Sequence, residues 1–446
     1  MIETPFDGKI VKQKIIESGV KSIGLASIRE LVRLVSEIEN KTGQQFIRME
    51  MGIPGLEPPE IAVNAEIEAI KKGVGSKYPP FDGIPELKQE ISRFINNFLN
   101  ININPVHCIP SVGSMQGCYM SILTVSRRIK GKSKILFIDP GFPVNKIQAQ
   151  VVGVEHESFD VYDYRGDKLK AKLESYLKKG DFAGLMYSNP NNPSWICFNE
   201  KELQVIGELC TKYDVVAMED LAYFGMDFRQ DYSQPGVEPY IPSVANYTDN
   251  YILMISSSKS FSMAGVRVGM TAISDSLFNS EGDNLEKYFN SSNFGYAFVF
   301  GALYAMTSGA AHSGQFGLAA ILKAVNDGEY NFVEGVKEYH ERAKPMKKLF
   351  TSNGFHVVYD KDDDQPIGDG FYFTVTYKKM TGVELVEELL YYGISAISLV
   401  TTGSSKHGIR ACVSLTGKDR FDDLEKRLHQ FNSDHENSDF MALSTF

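Results

Sequence analysis

Apolar residues in the middle of the chain form short uninterrupted runs, separated by stretches with helical spacing. The runs occupy residues 135–138, 184–187, 215–218 and 251–255, and the pattern predicts helices between them at 114–130 and 200–213. Uninterrupted apolar strands that alternate with helices are typical of a parallel sheet covered on both faces. The pattern therefore predicts an α/β domain built on a mostly parallel sheet.

The two ends of the chain follow a different pattern, in which amphipathic helices and strands are mixed. A helix is predicted at residues 22–40, and a Gly/Pro-rich stretch at 52–59 is typical of a crossing between domains. After residue 325, helices and strands are predicted at 328–352, 371–375, 383–392, near 397, and at 410–415 and 418–432. This order is typical of a smaller α+β domain. We therefore expect an N-terminal segment (1–51) that packs with the small domain, a large domain (52–324), and a small domain (325–446) with a polar tail after 433.

Composition and charge exclude several function classes. The chain has 446 residues, and its 46 Lys and Arg against 56 Asp and Glu give a net charge of −10. Such an acidic chain lacks the charge pattern of a nucleic-acid binder or of a protein bound to anionic membranes. Its five cysteines include no C-x-x-C pair, which argues against a disulfide scaffold and favours a reducing compartment. With neither a targeting segment nor a membrane span in the pattern, we expect a cytoplasmic protein.

The sharpest chemical signal follows the apolar run at 251–255. Ser256, Ser258, Lys259 and Arg267 come in quick succession there. Open α/β sheets bind ligands at the carboxyl ends of their strands, and this group of donors suits an anion. Partial burial lowers the pKa of a lysine and makes it a candidate nucleophile toward a carbonyl carbon. For the motif taken alone, a solvated lysine in a serine-rich turn is the better explanation.

Three further motifs follow a predicted strand or begin a helix. Asp220 and Tyr223 come directly after the run at 215–218, residues 188–194 read Ser-Asn-Pro-Asn-Asn-Pro-Ser, and residues 111–117 read Ser-Val-Gly-Ser-Met-Gln-Gly. A buried acid is costly unless it meets a cation, and the N–H groups at a helix start suit a phosphate. Taken singly, the motifs are explained as well by a helix cap, a turn and an ordinary helix start.

Taken together, the four motifs resemble the aspartate-aminotransferase family, the class I and II aminotransferases that use pyridoxal phosphate. The resemblance extends from Gly52 to Arg410, and the family pattern S-x-S-K-x-x-x-x-x-G-x-R-x-G matches residues 256–269. It implies the pyridoxal-phosphate-transferase fold, with a mixed, mostly parallel sheet between helices in the large domain and a smaller α+β domain built from the N- and C-terminal segments. It also implies an aminotransferase.

The resemblance assigns roles around the cofactor ring. Lys259 matches the lysine that binds the cofactor covalently and moves the proton from the substrate Cα. Asp220 matches the acid that pairs with the pyridine nitrogen, while Tyr223 and Asn192 match two groups that hydrogen-bond the ring oxygen. Phe142 falls where the family has an aromatic ring on the pyridine face, although an ordinary core phenylalanine explains it as well.

The resemblance also assigns the phosphate and the substrate. Arg410 matches the arginine that binds the substrate α-carboxylate, with Gly52 and Asn192 beside it, although without the upstream motifs a strand arginine in a salt bridge would explain it. Tyr78 matches a tyrosine that reaches the phosphate of the neighbouring subunit, which implies a homodimer with shared active sites. The residues matched to the phosphate itself are Gly113, Ser114, Met115, Ser256, Ser258 and Arg267.

Two departures from the family pattern leave parts of the site open. Trp195, the one tryptophan of the chain, stands where the family usually has glycine after N-N-P-[ST]. Its ring either lines the edge of the cofactor site or fills a gap between domains, and we favour the second. Residues 401–407, before Arg410, lack the P-G-x-x-F motif of the family, so the resemblance assigns no roles to the loop on the substrate side.

The distribution of Lys and Arg along the chain gives evidence about the class of amino donor. Residues 288–322 contain no Lys or Arg, whereas the dicarboxylate-specific branch of the family has an arginine from the other subunit in this stretch. We therefore expect an apolar, aromatic or broad range of amino donors rather than strictly aspartate, with 2-oxoglutarate as a plausible acceptor. Arg29 and Lys406 remain alternative cations.

Two other function classes stay open. Lyases on the same cofactor, such as C–S β-eliminating enzymes, share the lysine and aspartate, so the motifs do not separate them from aminotransferases. A non-enzymatic regulator is the remote alternative, because no basic recognition helix precedes Gly52. The eight histidines have no metal-ligand spacing, and we expect no metal.

Overall fold

The apolar runs of the middle region form neighbouring strands of one sheet. The structure is a computed structural model that describes residues 4–436. Its strands are β1 (Ile47–Arg48), β2 (Cys108–Ser111), β3 (Lys134–Asp139), β4 (His156–Asp160), β5 (Phe182–Ser188), β6 (Val216–Leu221), β7 (Tyr251–Ser256), β8 (Gly269–Ile273), β9 (Phe355–Val357), β10 (Lys361–Asp362), β11 (Gln365–Pro366), β12 (Tyr372–Tyr377), β13 (Ile394–Ser395), β14 (Ile397–Ser398) and β15 (Ile409–Cys412). The four predicted runs overlap β3, β5, β6 and β7.

Helices connect most of these strands. They are α1 (Gly8–Glu17), α2 (Ile28–Thr42), α3 (Glu60–Lys71), α4 (Pro85–Leu99), α5 (Gly113–Val125), α6 (Pro143–Val151), α7 (Asp167–Leu177), α8 (Glu200–Lys212), α9 (Ser257–Ser260), α10 (Asp275–Phe278), α11 (Glu286–Phe289), α12 (Phe294–Tyr296), α13 (Tyr304–Thr307), α14 (His312–Asn326), α15 (Phe332–Gly335), α16 (Glu338–Ser352), α17 (Gly382–Tyr391) and α18 (Phe421–His435). Helix α8 shows how local sequence defines a helix start. The Asn199 side chain accepts the N–H of Glu202, and the Glu202 carboxylate accepts the N–H of Asn199.

The large sheet has seven strands in the order β2-β8-β7-β6-β5-β3-β4. Strands β4, β3, β5, β6 and β7 run parallel, and β8 is antiparallel to both of its neighbours. Every residue of β5, β6 and β7 is buried, as expected for strands covered on both faces. The predicted mixed, mostly parallel sheet is therefore confirmed. The carboxyl ends of the parallel strands share one edge of it.

Several helix boundaries differ from the sequence prediction. The helix predicted at 22–40 begins at Ile28, because Ser27 and Glu30 form a capping box there, and it continues to Thr42. The helix predicted at 114–130 ends at Val125. The single helix predicted at 328–352 is interrupted after Gly335, which gives the separate helices α15 and α16. The tail predicted after 433 begins inside α18, and residues 437–446 lie outside the described chain.

The chain divides into two compact units. The first unit contains the chain up to Gly55, the short segment Asn192–Ile196 and the chain from Glu338 onward, and the second unit contains Leu56–Asn191 and Cys197–Lys337. The second unit holds the seven-stranded sheet. The division into 1–51, 52–324 and 325–446 stays a prediction about domains. The chain passes from one compact unit to the other after residues 55, 191, 196 and 337, and the sequence pattern does not mark 192–196 as part of the first unit.

The first unit combines helices with small sheets. Strands β14, β15, β12 and β9 form an antiparallel sheet in that order, and β1 pairs in parallel with β13. The apolar face of α2, formed by Leu31, Leu34, Val35 and Ile38 at helical spacing, is fully buried. Within residues 4–436 no helix is long and apolar enough to cross a bilayer, and no group of three or more His, Cys, Asp or Glu is placed to hold a metal ion.

Candidate active site

Asp220 and Lys259 come to the same edge of the large sheet. Strands β6 and β7 are parallel neighbours in which Asp220 pairs with Met254 and Leu221 with Ile255. Strand β6 ends just after Asp220, while β7 leads directly into the one-turn helix α9 that carries Lys259. Because parallel strands end at one edge, the two side chains predicted to do the chemistry belong to adjacent strand ends.

Asp220 is a buried carboxylate with one oxygen left for a donor. The residue is 6% exposed, and its Oδ1 makes no hydrogen bond within the described chain. Burial raises its pKa to about 7, while the backbone N–H of Ala222 and the charge of Lys259 act in the opposite direction. An N–H donor with positive charge at Oδ1 would relieve the cost of burying this group.

The preceding residue, Glu219, is a second buried acid with a different role. Successive side chains of a strand point to opposite faces, so Glu219 and Asp220 lie in different environments on the two sides of the sheet. Hydrogen bonds to Glu219 come from the hydroxyls of Ser243 (2.5 Å) and Tyr187 (3.2 Å), the N–H of Val244 and the amide of Asn189. Burial nevertheless raises its pKa to about 7. Glu219 was not among the predicted site residues, and its one sequence signal was an acid inside an apolar strand.

We expect the cofactor-free protein to lose stability as the pH rises from about 4 to about 7. Folded Asp220 and Glu219 keep their protons up to about pH 7, whereas the unfolded chain releases them near pH 4. The stabilisation from a raised carboxyl pKa is complete below the unfolded pKa and is lost as the pH rises through the folded pKa. Each group contributes up to about 1.4 kcal/mol per pH unit, which denaturant unfolding at a series of pH values will measure.

Two variants separate this effect from general pH sensitivity. Asp220→Asn removes one of the titrating groups and should reduce the fall in the free energy of unfolding over this range. Asp231→Asn is the matched control, because hydrogen bonds from Ser233 lower the pKa of Asp231 and it therefore titrates below this range. An equal pH slope in the Asp220 variant and the unsubstituted protein would contradict the raised pKa.

Serine hydroxyls fix the turn that carries Lys259. The Ser256 hydroxyl accepts the N–H of Ser258 at 3.1 Å, and the Ser257 hydroxyl donates to the carbonyl of Val268. The Ser260 hydroxyl donates to the Phe224 carbonyl at 2.8 Å, which ties the lysine turn to the chain that follows β6. Lys259 therefore extends from a short helix held on both sides.

Arg267 lies directly over the start of helix α5. Its backbone has a φ of +59°, and its carbonyl accepts the N–H of Gly113 at 3.2 Å. A Cβ on Gly113 would lie 2.3 Å from Nη2 of Arg267, so only glycine leaves room for the guanidinium here. Nη1 donates to the Ala264 carbonyl at 2.8 Å. The arginine is thus held against the end of the helix where backbone N–H groups are exposed.

Strand register brings the serines to the same place. Gly269 of β8 pairs with Ser256 of β7 on one side and with Ser111 of β2 on the other. A Cβ on Gly269 would come within 2.5 Å of the backbone N of Ser114, so the start of α5 packs directly on this glycine. A helix N-terminus, a guanidinium and serine hydroxyls make an anion site whose donors suit a phosphate.

The remaining predicted residues of the second unit differ widely in burial. Tyr223 is buried in the turn after β6, and Ser258 is buried in α9. Phe142 is half-buried just before helix α6, and the Met115 carbonyl accepts the side-chain amide of Gln148 from that helix at 2.9 Å. Tyr78 is 94% exposed in the loop before α4.

The first unit holds the residues predicted for the substrate, grouped around Arg410. This arginine is 1% exposed in β15. Its Nη1 donates to the side-chain oxygen of Asn192 at 3.1 Å, and its Nη2 donates to the carbonyl of Glu50 at 2.5 Å. The guanidinium carbon lies 4.4 Å from the ring centre of Tyr372. The Tyr372 hydroxyl in turn lies against Gly52, where a Cβ would meet it at 1.8 Å.

Two supports of Arg410 were not foreseen. The Glu50 carboxylate accepts hydrogen bonds from Arg48 (2.9 Å) and Ser395 (2.5 Å), which fixes the backbone carbonyl that holds Arg410. Tyr372 was predicted only as part of a strand. Its contact with Arg410 has no local sequence signal, because it joins residues that are far apart in the chain.

The residues of the second unit fit pyridoxal phosphate. Asp220 Oδ1 is a buried acceptor without a partner among residues 4–436, which suits a protonated ring nitrogen. Lys259 lies close enough for its charge to act on Asp220. The anion site at Gly113, Arg267 and Ser256 suits the phosphate. Ring nitrogen, carbonyl carbon and phosphate thus each have a chemically matched partner in this unit.

Comparison with known proteins leads to the same family as the motifs. The sequence model of the family described as "Aminotransferase class I and II" matches residues 44–418. A probable aspartate aminotransferase of Methanocaldococcus jannaschii is 23% identical over 414 residues, which cover 93% of this chain and 98% of that protein. An LL-diaminopimelate aminotransferase of Natranaerobius thermophilus is 28% identical over 355 residues, covering 77% and 84%. An aspartate aminotransferase structure from Thermotoga maritima shares the fold, with a TM-score of 0.73 at 18% identity over 94% of this chain and 99% of that one.

Proposed function

The chain belongs to the aminotransferase class I and II family, whose members depend on pyridoxal phosphate, and from this premise we propose its substrates and the roles of its residues. It moves an amino group from an apolar, aromatic or broad range of L-amino acids to a 2-oxo acid such as 2-oxoglutarate. The observation that supports the proposal most directly is the buried Oδ1 of Asp220, which has no partner within residues 4–436 and lies in reach of the charge of Lys259.

Each residue of the second unit has a separate task. When bound, pyridoxal phosphate supplies an aldehyde carbon that takes up the amino group and a ring that spreads the negative charge left on the substrate Cα. Lys259 holds the cofactor through Nζ and moves the proton from the substrate Cα, a contribution of roughly 10²–10⁴-fold. Asp220 keeps the ring nitrogen protonated, and Tyr223 donates to the ring oxygen. Arg267, with the serines and the start of α5, anchors the phosphate.

Arg410 binds the α-carboxylate of the substrate. A planar guanidinium offers two parallel donors to a carboxylate, and burial strengthens such a pair. The hydrogen bonds to Asn192 and Glu50 use Nη1 and Nη2, while Nε has no partner among the described residues. Asn192, Glu50 and Tyr372 hold the guanidinium in place before a substrate binds. This preorganisation reduces the entropy that binding costs.

Charge distribution supports a donor other than aspartate. The two relatives described above are named for aspartate and LL-diaminopimelate, which both carry a second charged end. In this chain residues 288–322 contain no Lys or Arg, and they present aromatic rings instead. The rings of Tyr296 and Phe300 are stacked with their centres 4.7 Å apart. Phe300 and Tyr304 both pack on Phe81. An apolar or aromatic side chain therefore suits this protein better than a distal carboxylate.

A homodimer completes the proposal. Tyr78, Tyr296, Phe300 and Tyr304 are large apolar side chains that this single chain leaves exposed. His312 contacts the carbonyl oxygens of Val74 and Lys77 and so fixes the loop that presents Tyr78. Exposed aromatic side chains are enriched in protein interfaces. Sedimentation giving a monomer mass would overturn this assignment. The cytoplasmic location expected from the cysteine pattern stays a prediction.

A half-reaction tests the proposed function. The purified protein loaded with pyridoxal phosphate should absorb near the visible edge, and this band should bleach when a single amino donor is added. We expect L-phenylalanine or L-leucine to bleach it at least about tenfold faster than L-aspartate, because an unpaired distal carboxylate is costly to bury. Adding 2-oxoglutarate should restore the band.

The other outcomes identify the alternatives. Fastest bleaching by L-aspartate would overturn the proposed donor class while leaving amine transfer intact. Ammonia and a keto acid released without an acceptor would indicate a lyase. No bleaching by any of the three amino acids would contradict amine transfer between these substrate classes.

A further inference from the structure

Trp195 occupies an unusual place in the first unit. It is the one tryptophan of the chain, it is 1% exposed, and its backbone φ is +65°. This left-handed region favours glycine, the residue that the family pattern usually has here. A bulky side chain that persists at such a position must gain from its contacts. The structure shows what those contacts are.

The indole ring packs closely on a glycine and forms an edge-type contact with a tyrosine. A Cβ on Gly370 would come within 2.0–2.3 Å of the atoms Cε2, Cζ2 and Nε1 of Trp195, so Gly370 leaves the ring its space. The centres of the Trp195 and Tyr372 rings are 6.2 Å apart at an angle of 70°. This edge-on geometry is favourable for aromatic pairs.

Tyr372 is the platform under the substrate-binding arginine. The Arg410 guanidinium lies 4.4 Å above its ring, and the Tyr372 hydroxyl is fixed against Gly52. Trp195 packs on the same ring, so it limits the tilt of the surface on which the guanidinium rests. Without the indole, Tyr372 would gain room to move, and Arg410 would lose a fixed base.

Trp195 also anchors the second support of Arg410. Asn192, which accepts the hydrogen bond from Nη1, belongs to the five-residue segment that the first unit takes from the middle of the chain. Trp195 and Ile196 are each only 1% exposed and are the two large apolar side chains of that segment. The indole therefore helps to hold both the ring beneath Arg410 and the amide beside it.

We propose that Trp195 is a positioning residue for substrate binding, which orients Arg410 toward the substrate carboxylate through Tyr372 and Asn192. This inference rests on the proposed function, because it takes Arg410 as the group that binds the carboxylate. It concerns affinity for the substrate, not the chemistry at Lys259. A loss of the indole should thus weaken carboxylate binding and leave the bound cofactor in place.

The test compares Trp195→Gly with Trp195→Phe. Glycine removes the ring and suits the positive φ, whereas phenylalanine keeps an aromatic ring on the same backbone. In the glycine variant we expect the KM for the amino donor to rise roughly tenfold, since small misplacements of a binding group cost up to about 100-fold. The kcat at saturation and the cofactor absorbance should stay within about threefold, the signature of lost ground-state binding. The phenylalanine variant should recover most of the affinity.

Binding of simple carboxylates gives a readout that does not need turnover. The dissociation constants of 3-phenylpropionate, 4-methylpentanoate and maleate are measured by calorimetry on the loaded protein, and the tightest is used. The dissociation constant of that carboxylate should rise in Trp195→Gly by the same factor as the KM. It should rise further in Arg410→Ala. If the glycine variant does not fold, Gly370→Ala replaces it, because the added Cβ would displace the indole.

A matched control and two opposing results complete the design. Phe355→Leu changes a buried aromatic residue of the same unit that packs on Phe350, Tyr377 and Phe431, and it should lower the unfolding temperature without changing the KM. Unchanged carboxylate affinity in Trp195→Gly or Gly370→Ala would overturn the inference alone. Failure of all three carboxylates to bind the unsubstituted protein would overturn the role of Arg410 and, with it, the proposed function.

Discussion

Replacing Lys259 with alanine is expected to lower the rate of amine transfer by roughly 10⁴-fold or more. Proton transfer by a positioned side chain is worth roughly 10²–10⁴-fold, and the variant also loses covalent attachment of the cofactor. Reduction with borohydride followed by mass spectrometry measures the attachment directly. The unsubstituted protein should gain the mass of the cofactor on the peptide that contains Lys259, and the variant should gain none.

The control for this experiment is an exposed lysine of the same unit. Lys212 pairs with Glu174 on the surface of α8, so Lys212→Ala should keep both the reducible attachment and the activity. A borohydride-stable cofactor adduct that persists in Lys259→Ala would show that another amine holds the cofactor. That result would contradict the role assigned to Lys259.

Asp220→Ala is expected to have the second largest effect, a loss of about 10²–10⁴-fold in kcat/KM. Removing one side of a buried charge pair costs roughly 3–5 kcal/mol, and each 1.4 kcal/mol is about tenfold in rate. The pyridine nitrogen would lose the acceptor at Oδ1, so the affinity for pyridoxal phosphate should fall as well. Titration of the cofactor-free protein with pyridoxal phosphate measures that affinity independently of turnover.

The neighbouring acid provides a strict comparison. Glu219→Gln changes an equally buried carboxylate on the opposite face of the same strand, and its amide keeps an acceptor for the Ser243 hydroxyl. We expect this variant to lose stability and to retain the cofactor. If Glu219→Gln lost cofactor affinity as severely as Asp220→Ala, the assignment of Asp220 to the ring nitrogen would be wrong.

The sequence predicted the central strands well and the outer ones poorly. Strands β5, β6 and β7 are buried on both faces and therefore appear as uninterrupted apolar runs. The edge strand β4 is polar and partly exposed, and β2 contains Pro110, so neither has that pattern. Strand β8 begins at Gly269, inside the motif that was interpreted as a turn.

The candidate site was predicted to the extent that it depends on strand ends. Asp220, Ser256 and Lys259 follow apolar runs directly, and the rule that ligands bind at the carboxyl ends of parallel strands suffices to group them. The surroundings of Arg410 depend instead on pairing between distant parts of the chain. Neither the Glu50 carbonyl nor the Tyr372 ring has a local sequence signal, and for Trp195 the sequence indicated only that the residue departs from the family pattern.

The division of the first unit among three stretches of chain has a consequence for protein synthesis. Strand β1 pairs with β13, so Ile47 cannot form its strand pairing until Ile394 has been synthesised. Closing such a long loop slows folding. Residues Ile23–Leu25, with Gly24 packed directly on Val383, also leave the ribosome early and lack this partner until translation is almost complete. The second unit, interrupted by only five residues, is available to fold first. We therefore expect the newborn chain to pass through a stage in which the sheet domain is ordered while β1 and Ile23–Leu25 still lack their C-terminal partners.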